Sequence, residues 1–162
     1  MDIMEQFSLY KTMILDMQKL QNIQQPKLGV ALIILNGNKV LIGQRTTLPM
    51  INSWQFPGGW VFDDESEQRA GLRHLESFRD MQCHPLEYVT FTNNRFEDGA
   101  HSLSLYYQTK CMNAERVNLA LNDDCQNWCW AEWEGLPEKL FLPLELLKSS
   151  GFAPHGYKNH AM

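Results

Sequence analysis

No run of about 18 apolar residues occurs anywhere in this 162-residue chain, so no stretch is long enough for a helical membrane span. An excess of basic charge is also missing. Lys and Arg number 14 against 19 Asp and Glu, giving a formal net charge of −5 and a pI near 5.5. That balance excludes a general binder of nucleic-acid polymer, whose phosphate backbone selects basic surfaces. A small phosphorylated ligand stays open, because its positive charge need only be concentrated locally. The first residues carry Asp2 and Glu5 where a secretory leader would have a basic stretch followed by an apolar one, so no leader is expected. Cys83, Cys111, Cys125 and Cys129 form no CxxC pair and no zinc-like spacing. Buried free thiols in a reducing, cytoplasmic setting are the expectation.

With 44% hydrophobic content, the chain is long enough for one domain with a proper core and too short for two. Its organisation reads as an amphipathic helix over 1–26, a domain over 27–154 and a tail over 155–162. In the first part Ile3, Phe7, Tyr10, Ile14, Met17 and Leu20 are spaced to make one apolar stripe, and Pro26 ends the helix. That stripe either packs on the chain's own domain or forms an interface, with a homodimer the expected partner. Leu28–Leu35 is a nearly continuous apolar run, as in a strand covered on both faces. Asn36-Gly37-Asn38 turns the chain into a returning strand, Lys39–Gly43, so the pair reads as a hairpin. Arg45 follows, and a surface ion pair is one reading of it. Thr46–Asn52, with Pro49 inside it, is a loop.

The stretch from Trp54 to Met81 organises the rest: a short strand through Phe56, a turn at Pro57-Gly58-Gly59, then a helix. The glycines permit a sharp bend and a close approach to a ligand. Ser66 is the expected N-cap, preceded by Asp63, Asp64 and Glu65, with Arg69 where a capping box would have Glu or Gln. On a continuing helix Arg69, Arg73, Glu76 and Asp80 share a charged face, with Arg73 and Glu76 at ion-pair spacing. Phe78 falls with Gly71 and Leu75 on the core stripe, and His74 borders it as a packed, hydrogen-bonded histidine or a catalytic one. Further on, Leu86–Thr92 and Ser102–Lys110 read as strands flanking a polar loop, Asn93–His101. Cys125–Trp133 reads as a last strand with Trp128 and Trp130 opposite Cys125 and Cys129, the indoles serving the core or stacking on a base. A helix around Pro143–Lys148 is closed by Ser149-Ser150-Gly151, and Phe152–Met162 has no periodicity and is expected to be loosely ordered.

From Gly59 the spacing runs five residues to Glu65 and seven more to Arg73, which matches the first half of the Nudix box. The string SWQFPGG with NWCWAEWEGLPEKLFLPLELLKSSGFAP resembles the MutT-homologue nucleotide triphosphate diphosphatases of that superfamily. LIGQRTTLP before SWQFPGG is similar to GDP-mannose mannosyl hydrolase. The resemblance implies an α/β (α+β) fold, an α/β/α sandwich around a mixed sheet, with an extra helix ahead of it. It implies a nucleotide or nucleotide-sugar ligand, with Arg45, Trp54, Phe56, Gly58 and Gly59 as its contacts. Glu65 and Arg73 take the family's catalytic positions, with Glu65 also the residue nearest to a metal ligand. The further metal positions of the box carry His74, Ser77 and Phe78 in place of carboxylates. Mg²⁺ or Mn²⁺ is implied if the chain is active, and no cofactor if it only binds. A general base from a distant loop makes Glu97, Asp98 and His101 candidates. Three functions follow: a hydrolase of nucleoside di- or triphosphates or nucleotide sugars with an altered metal site, an inactive nucleotide-binding protein, or a regulatory protein that works through its first helix.

Overall fold

Leu32, Ile33, Ile34 and Leu35 are each no more than 2% exposed, so the strand they form is covered on both faces and is the axis of the structure. This computed structural model describes residues 1–156. Its elements are α1 (Ile3–Gln21), β1 (Lys27–Asn36), β2 (Lys39–Gln44), β3 (Trp54–Gln55), β4 (Gly58–Trp60), α2 (Glu67–Glu76), β5 (Glu87–Arg95), β6 (His101–Lys110), β7 (Gln126–Glu132) and α3 (Leu142–Ser149). β1 runs parallel to β6, from Lys27 opposite Ser102 to Leu35 opposite Lys110. Its other edge is shared by β4 at one end and β2 at the other, both antiparallel. β5 lies outside β6, while β3 and β7 both pair with β2, completing a mixed seven-stranded sheet.

Because successive side chains on a strand point to opposite faces, the sheet has two cores. Ile33, Leu35, Val40 and Ile42 meet Phe56, Tyr106, Trp133 and the Leu144 and Leu147 of α3. Leu32, Ile34 and Leu41 meet Phe78, Leu86 and the Leu72 and Leu75 of α2. The result is the sandwich implied by the resemblance, with α2 and α3 on opposite faces. Trp128 and Trp130 belong to the α2 side; Trp128 meets Phe78 edge-on at 4.9 Å and donates its indole N–H to the Asn122 carbonyl. Both indoles therefore serve packing. Cys129 packs on the other core as expected, but Cys125 precedes the strand, and the positive φ of Asn127 with a bulge near Gly43 interrupts the alternation between them.

Several boundaries differ from the sequence reading. The break falls at Phe56-Pro57, between β3 and β4, while Gly58 and Gly59 are not a turn but part of β4, paired with β1. A Cβ on Gly58 would run into the Val30 carbonyl and lie 2.9 Å from the Ala31 Cα, so glycine is what lets β4 lie against β1. α2 stops at Glu76: the Ser77 hydroxyl donates to the His74 carbonyl, Phe78 swings into the core, and Asp80 has φ 62°, off the predicted charged face. β5 continues to Arg95 and β6 starts at His101, which shortens the polar loop to Phe96–Ala100. The tail is held as far as His155, whose N–H donates to Gln108 Oε1 while Gln108 Nε2 donates back to its carbonyl. The rest of the tail, 157–162, lies outside the described residues.

α1 is capped at Asp2 by a reciprocal bond with Glu5, yet none of its residues is buried. Its stripe of Ile3, Phe7, Tyr10, Ile14, Met17 and Leu20 is 54–72% exposed. Packing on its own domain is thus corrected: the face is left open. No helix among the described residues is long and apolar enough to cross a membrane.

Candidate functional site

A cavity of about 600 Å³ opens between the start of β1, β4, β6 and the entrance to α3. Its charged or titrating walls are Lys27, Arg45, His101 and Tyr106, and among the described residues no carboxylate lines it. Arg45 leaves β2 and turns back on the loop that follows. Its Nε donates to the Pro49 carbonyl at 2.9 Å, Nη2 to the Leu48 carbonyl at 3.1 Å and Nη1 to Gln55 Oε1 at 2.5 Å, while its plane lies 4.0 Å over the Phe141 ring. Burial lowers its pKa from the ordinary arginine value, but a guanidinium stays charged. No carboxylate pairs with it among the described residues, so the surface ion pair is corrected. Phe96 packs on Phe141 at 5.6 Å, and one wall of the cavity is therefore two aromatic rings with a cation over one of them.

The opposite wall is polar. Ser102, Ser104 and Tyr106 share one face of β6 and line the cavity. Behind them the buried Asn94 donates from Nδ2 to Ser102 Oγ at 3.0 Å and Ser104 Oγ at 2.9 Å, and its Oδ1 has no partner among the described residues. Tyr106 shares a 2.9 Å hydrogen bond with Thr92, and burial raises its phenol pKa. His101 lies at the rim, one ring nitrogen 2.5 Å from Asn93 Oδ1.

Beyond Trp60, α2 is braced to β4 and to the segment that joins them. Ser66 caps it by accepting from the Arg69 N–H at 3.1 Å. Arg73 does not reach for Glu76; it donates from Nη2 and Nε to Glu65 at 2.6 and 3.0 Å and from Nη2 to the Trp60 carbonyl, and it stacks 4.2 Å over Phe62. Glu65 also accepts from the Phe62 N–H, and these bonds, that from Arg73 foremost, pull its carboxyl down to about 2. His74 is the packed histidine of the two readings. Its Nε2 donates to the Trp60 carbonyl at 3.3 Å, its ring fills the space where a Gly59 Cβ would stand, and burial lowers its pKa.

This donor set does not fit a hard divalent ion. Both oxygens of Glu65 are engaged, the Ser77 hydroxyl bonds His74 and Asn122, and Phe78 is core. Among the described residues no three Asp, Glu, His or Cys are grouped to hold a metal. Of the residues singled out from sequence, Arg45, Phe56, Gly58, Gly59 and His101 come together on the cavity. Phe56 shows it little surface, being stacked in the core on Trp133. Glu97 and Asp98 are exposed on the loop and do not line the cavity. Trp54 does not line it either, but its main chain bonds Lys139 and Phe141 and so sets the Phe141 wall. The residues that sequence reasoning missed include Lys27, Phe96, Ser102, Ser104, Tyr106 and Phe141. The serines left a trace: two polar residues at strand spacing on the face that carries Tyr106.

The NUDIX domain family matches residues 25–148. The fold is similar to a MutT NUDIX hydrolase from Burkholderia pseudomallei, at 19% identity and TM-score 0.67 over 78% of this chain and 98% of that one. It is similar to the NUDIX domain of Shewanella oneidensis NrtR, solved in complex with ADP ribose, at 20% identity and TM-score 0.60 over 83% and 94% of the two chains. A UDP-X diphosphatase aligns at 16% identity and TM-score 0.59 over 87% and 71%. With the paired glycines of β4, the Glu65–Arg73 brace and the two-layered core in place, and the family match covering most of its length, this chain belongs to the NUDIX family.

Proposed function

We propose that the chain binds a nucleoside diphosphate derivative, a nucleotide or nucleotide sugar, in the cavity between β6 and α3, and that binding rather than metal-assisted cleavage is its function. The observation that carries this reading is the lining: aromatic rings at Phe96 and Phe141, cations at Lys27 and Arg45, and no carboxylate among the described residues. Such a wall suits a flat base beside an anionic diphosphate. Gly58 and Gly59 bring main chain, not side chain, to the same space. The NrtR domain is solved with ADP ribose, a ligand of this class. Calorimetry with ADP-ribose, GDP-mannose, UDP-glucose and nucleoside triphosphates in EDTA tests it. Saturable binding without phosphate or sugar release is expected. No binding by any of them refutes it.

A second reading, hydrolysis at an altered site, is favoured by His101, the one candidate base that lines the cavity. It predicts turnover with Mg²⁺ or Mn²⁺ that is lost in Glu65→Gln. The open stripe of α1 supports a homodimer formed through that helix, and the four unpaired thiols support a cytoplasmic setting.

A further inference from the structure

Cys83 and Cys111 face each other across an isolated antiparallel bridge, just outside the ends of β5 and β6. The main-chain bonds on either side define its kind. His84 N–H donates to the Lys110 carbonyl at 3.0 Å and Met112 N–H to the Gln82 carbonyl at 2.8 Å, so the two cysteines exchange no bonds themselves. Opposed residues of this non-hydrogen-bonded kind have Cα atoms about 4.5 Å apart and side chains on one face. Disulfide-linked cysteines have Cα atoms roughly 4.4–6.8 Å apart. The Cys111 thiol donates to Asn113 Oδ1 at 3.6 Å, and both thiols are free, half-buried and packed on the same core.

We propose that Cys83 and Cys111 form a reversible disulfide, made by exchange with a small-molecule disulfide, that closes the base of the β5–β6 hairpin. Cys111 gives its proton to solvent, attacks one sulfur of the small disulfide and expels a thiolate, leaving a mixed disulfide. Cys83 then loses its proton, attacks Cys111 Sγ and expels the second small thiol. Two protein thiols are oxidised and one small disulfide is reduced to two thiols, so atoms and electrons balance. This order of attack follows from burial, which with the neighbouring Cys111 pushes the Cys83 thiol up to about 12 and makes it the poorer first nucleophile. The ring so closed contains β5, its loop and β6, and therefore His101, Ser102, Ser104 and Tyr106 of the cavity wall. Cys125 and Cys129 have no bridge of this kind among the described residues, which predicts that two thiols of the four react.

The full chain is equilibrated with oxidised glutathione, quenched in acid and analysed by thiol titration in denaturant and by peptide mapping. Loss of two thiols, a Cys83–Cys111 linked peptide and a rise in Tm of roughly 5–10 °C that reductant reverses are expected. Cys83→Ser should instead retain one glutathione on Cys111, with no linked peptide. Four free thiols, a mixed disulfide persisting in the unsubstituted chain, or a linkage to Cys125 or Cys129 would each overturn the proposal. The outcome does not depend on which ligand the cavity takes.

Discussion

Glu65 accepts three hydrogen bonds, two from Arg73 and one from the Phe62 N–H, and in doing so ties the segment between β4 and α2 to the last turn of α2. Those bonds favour the ionised form, which is why the carboxyl titrates near 2 in place of 4.5. The unfolded chain takes up the proton first as pH falls, so the contribution is complete above 4.5 and is lost progressively toward about 2. Glu65→Gln is accordingly expected to be less stable at neutral pH and to show a flatter stability curve over that acid range, measured by urea denaturation at constant ionic strength. Parallel curves would show that the brace contributes nothing. Within β4, a Cβ at position 59 would lie 2.6 Å from His74 Cε1. Overpacking of this sort costs about 1–3 kcal/mol, so Gly59→Ala should destabilise by that amount. Combining it with His74→Ala should recover most of the loss, since the two changes touch the same contact.

At the scale of elements, what could be read from the sequence was whatever had a local cause. Ser66 starts α2 because its hydroxyl meets the Arg69 N–H, and Ser66→Ala should cost about 1 kcal/mol in chemical denaturation, with the cavity unaffected. The end of α2 had no such signature: Phe78 sits at an angle that a continuing helix would also bury, and its contacts with Leu32, Ile34, Leu41 and Trp128 come from strands far off in the chain. Asn93, Asn94 and Arg95 look like loop by composition, yet they pair with Leu103, Ser102 and His101, and Asn94 finds two serine partners; tertiary pairing outweighs propensity there. The cavity divides in the same way. Gly58 and Gly59 were legible from their spacing to Glu65 and Arg73, whereas Ser102, Ser104 and Phe141 reach the cavity through the parallel β1–β6 pairing and the bonding of Phe141 to Trp54, contacts between segments far apart in the chain.

For the whole molecule the unresolved balance is α1, a helix of 19 residues with no buried side chain. Its length, about 28 Å at 1.5 Å per residue, is enough for two copies to lie side by side with their stripes of Ile3, Phe7, Tyr10, Ile14 and Met17 in contact. Those positions alternate in steps of four and three, the spacing that keeps a helical seam facing its partner. Two consequences separate a dimer from a helix that merely stands free. A dimer's Tm rises with protein concentration, because association stabilises the folded state by mass action, and Phe7→Glu should abolish that dependence. Removing residues 2–24 should then give a monomer by light scattering whose Tm no longer depends on concentration, with the cavity still binding its ligand, because the core under β1 draws nothing from α1. A full chain that is monomeric at every concentration, and melts at the same temperature as the truncated form, would leave the stripe without a partner and the homodimer without support.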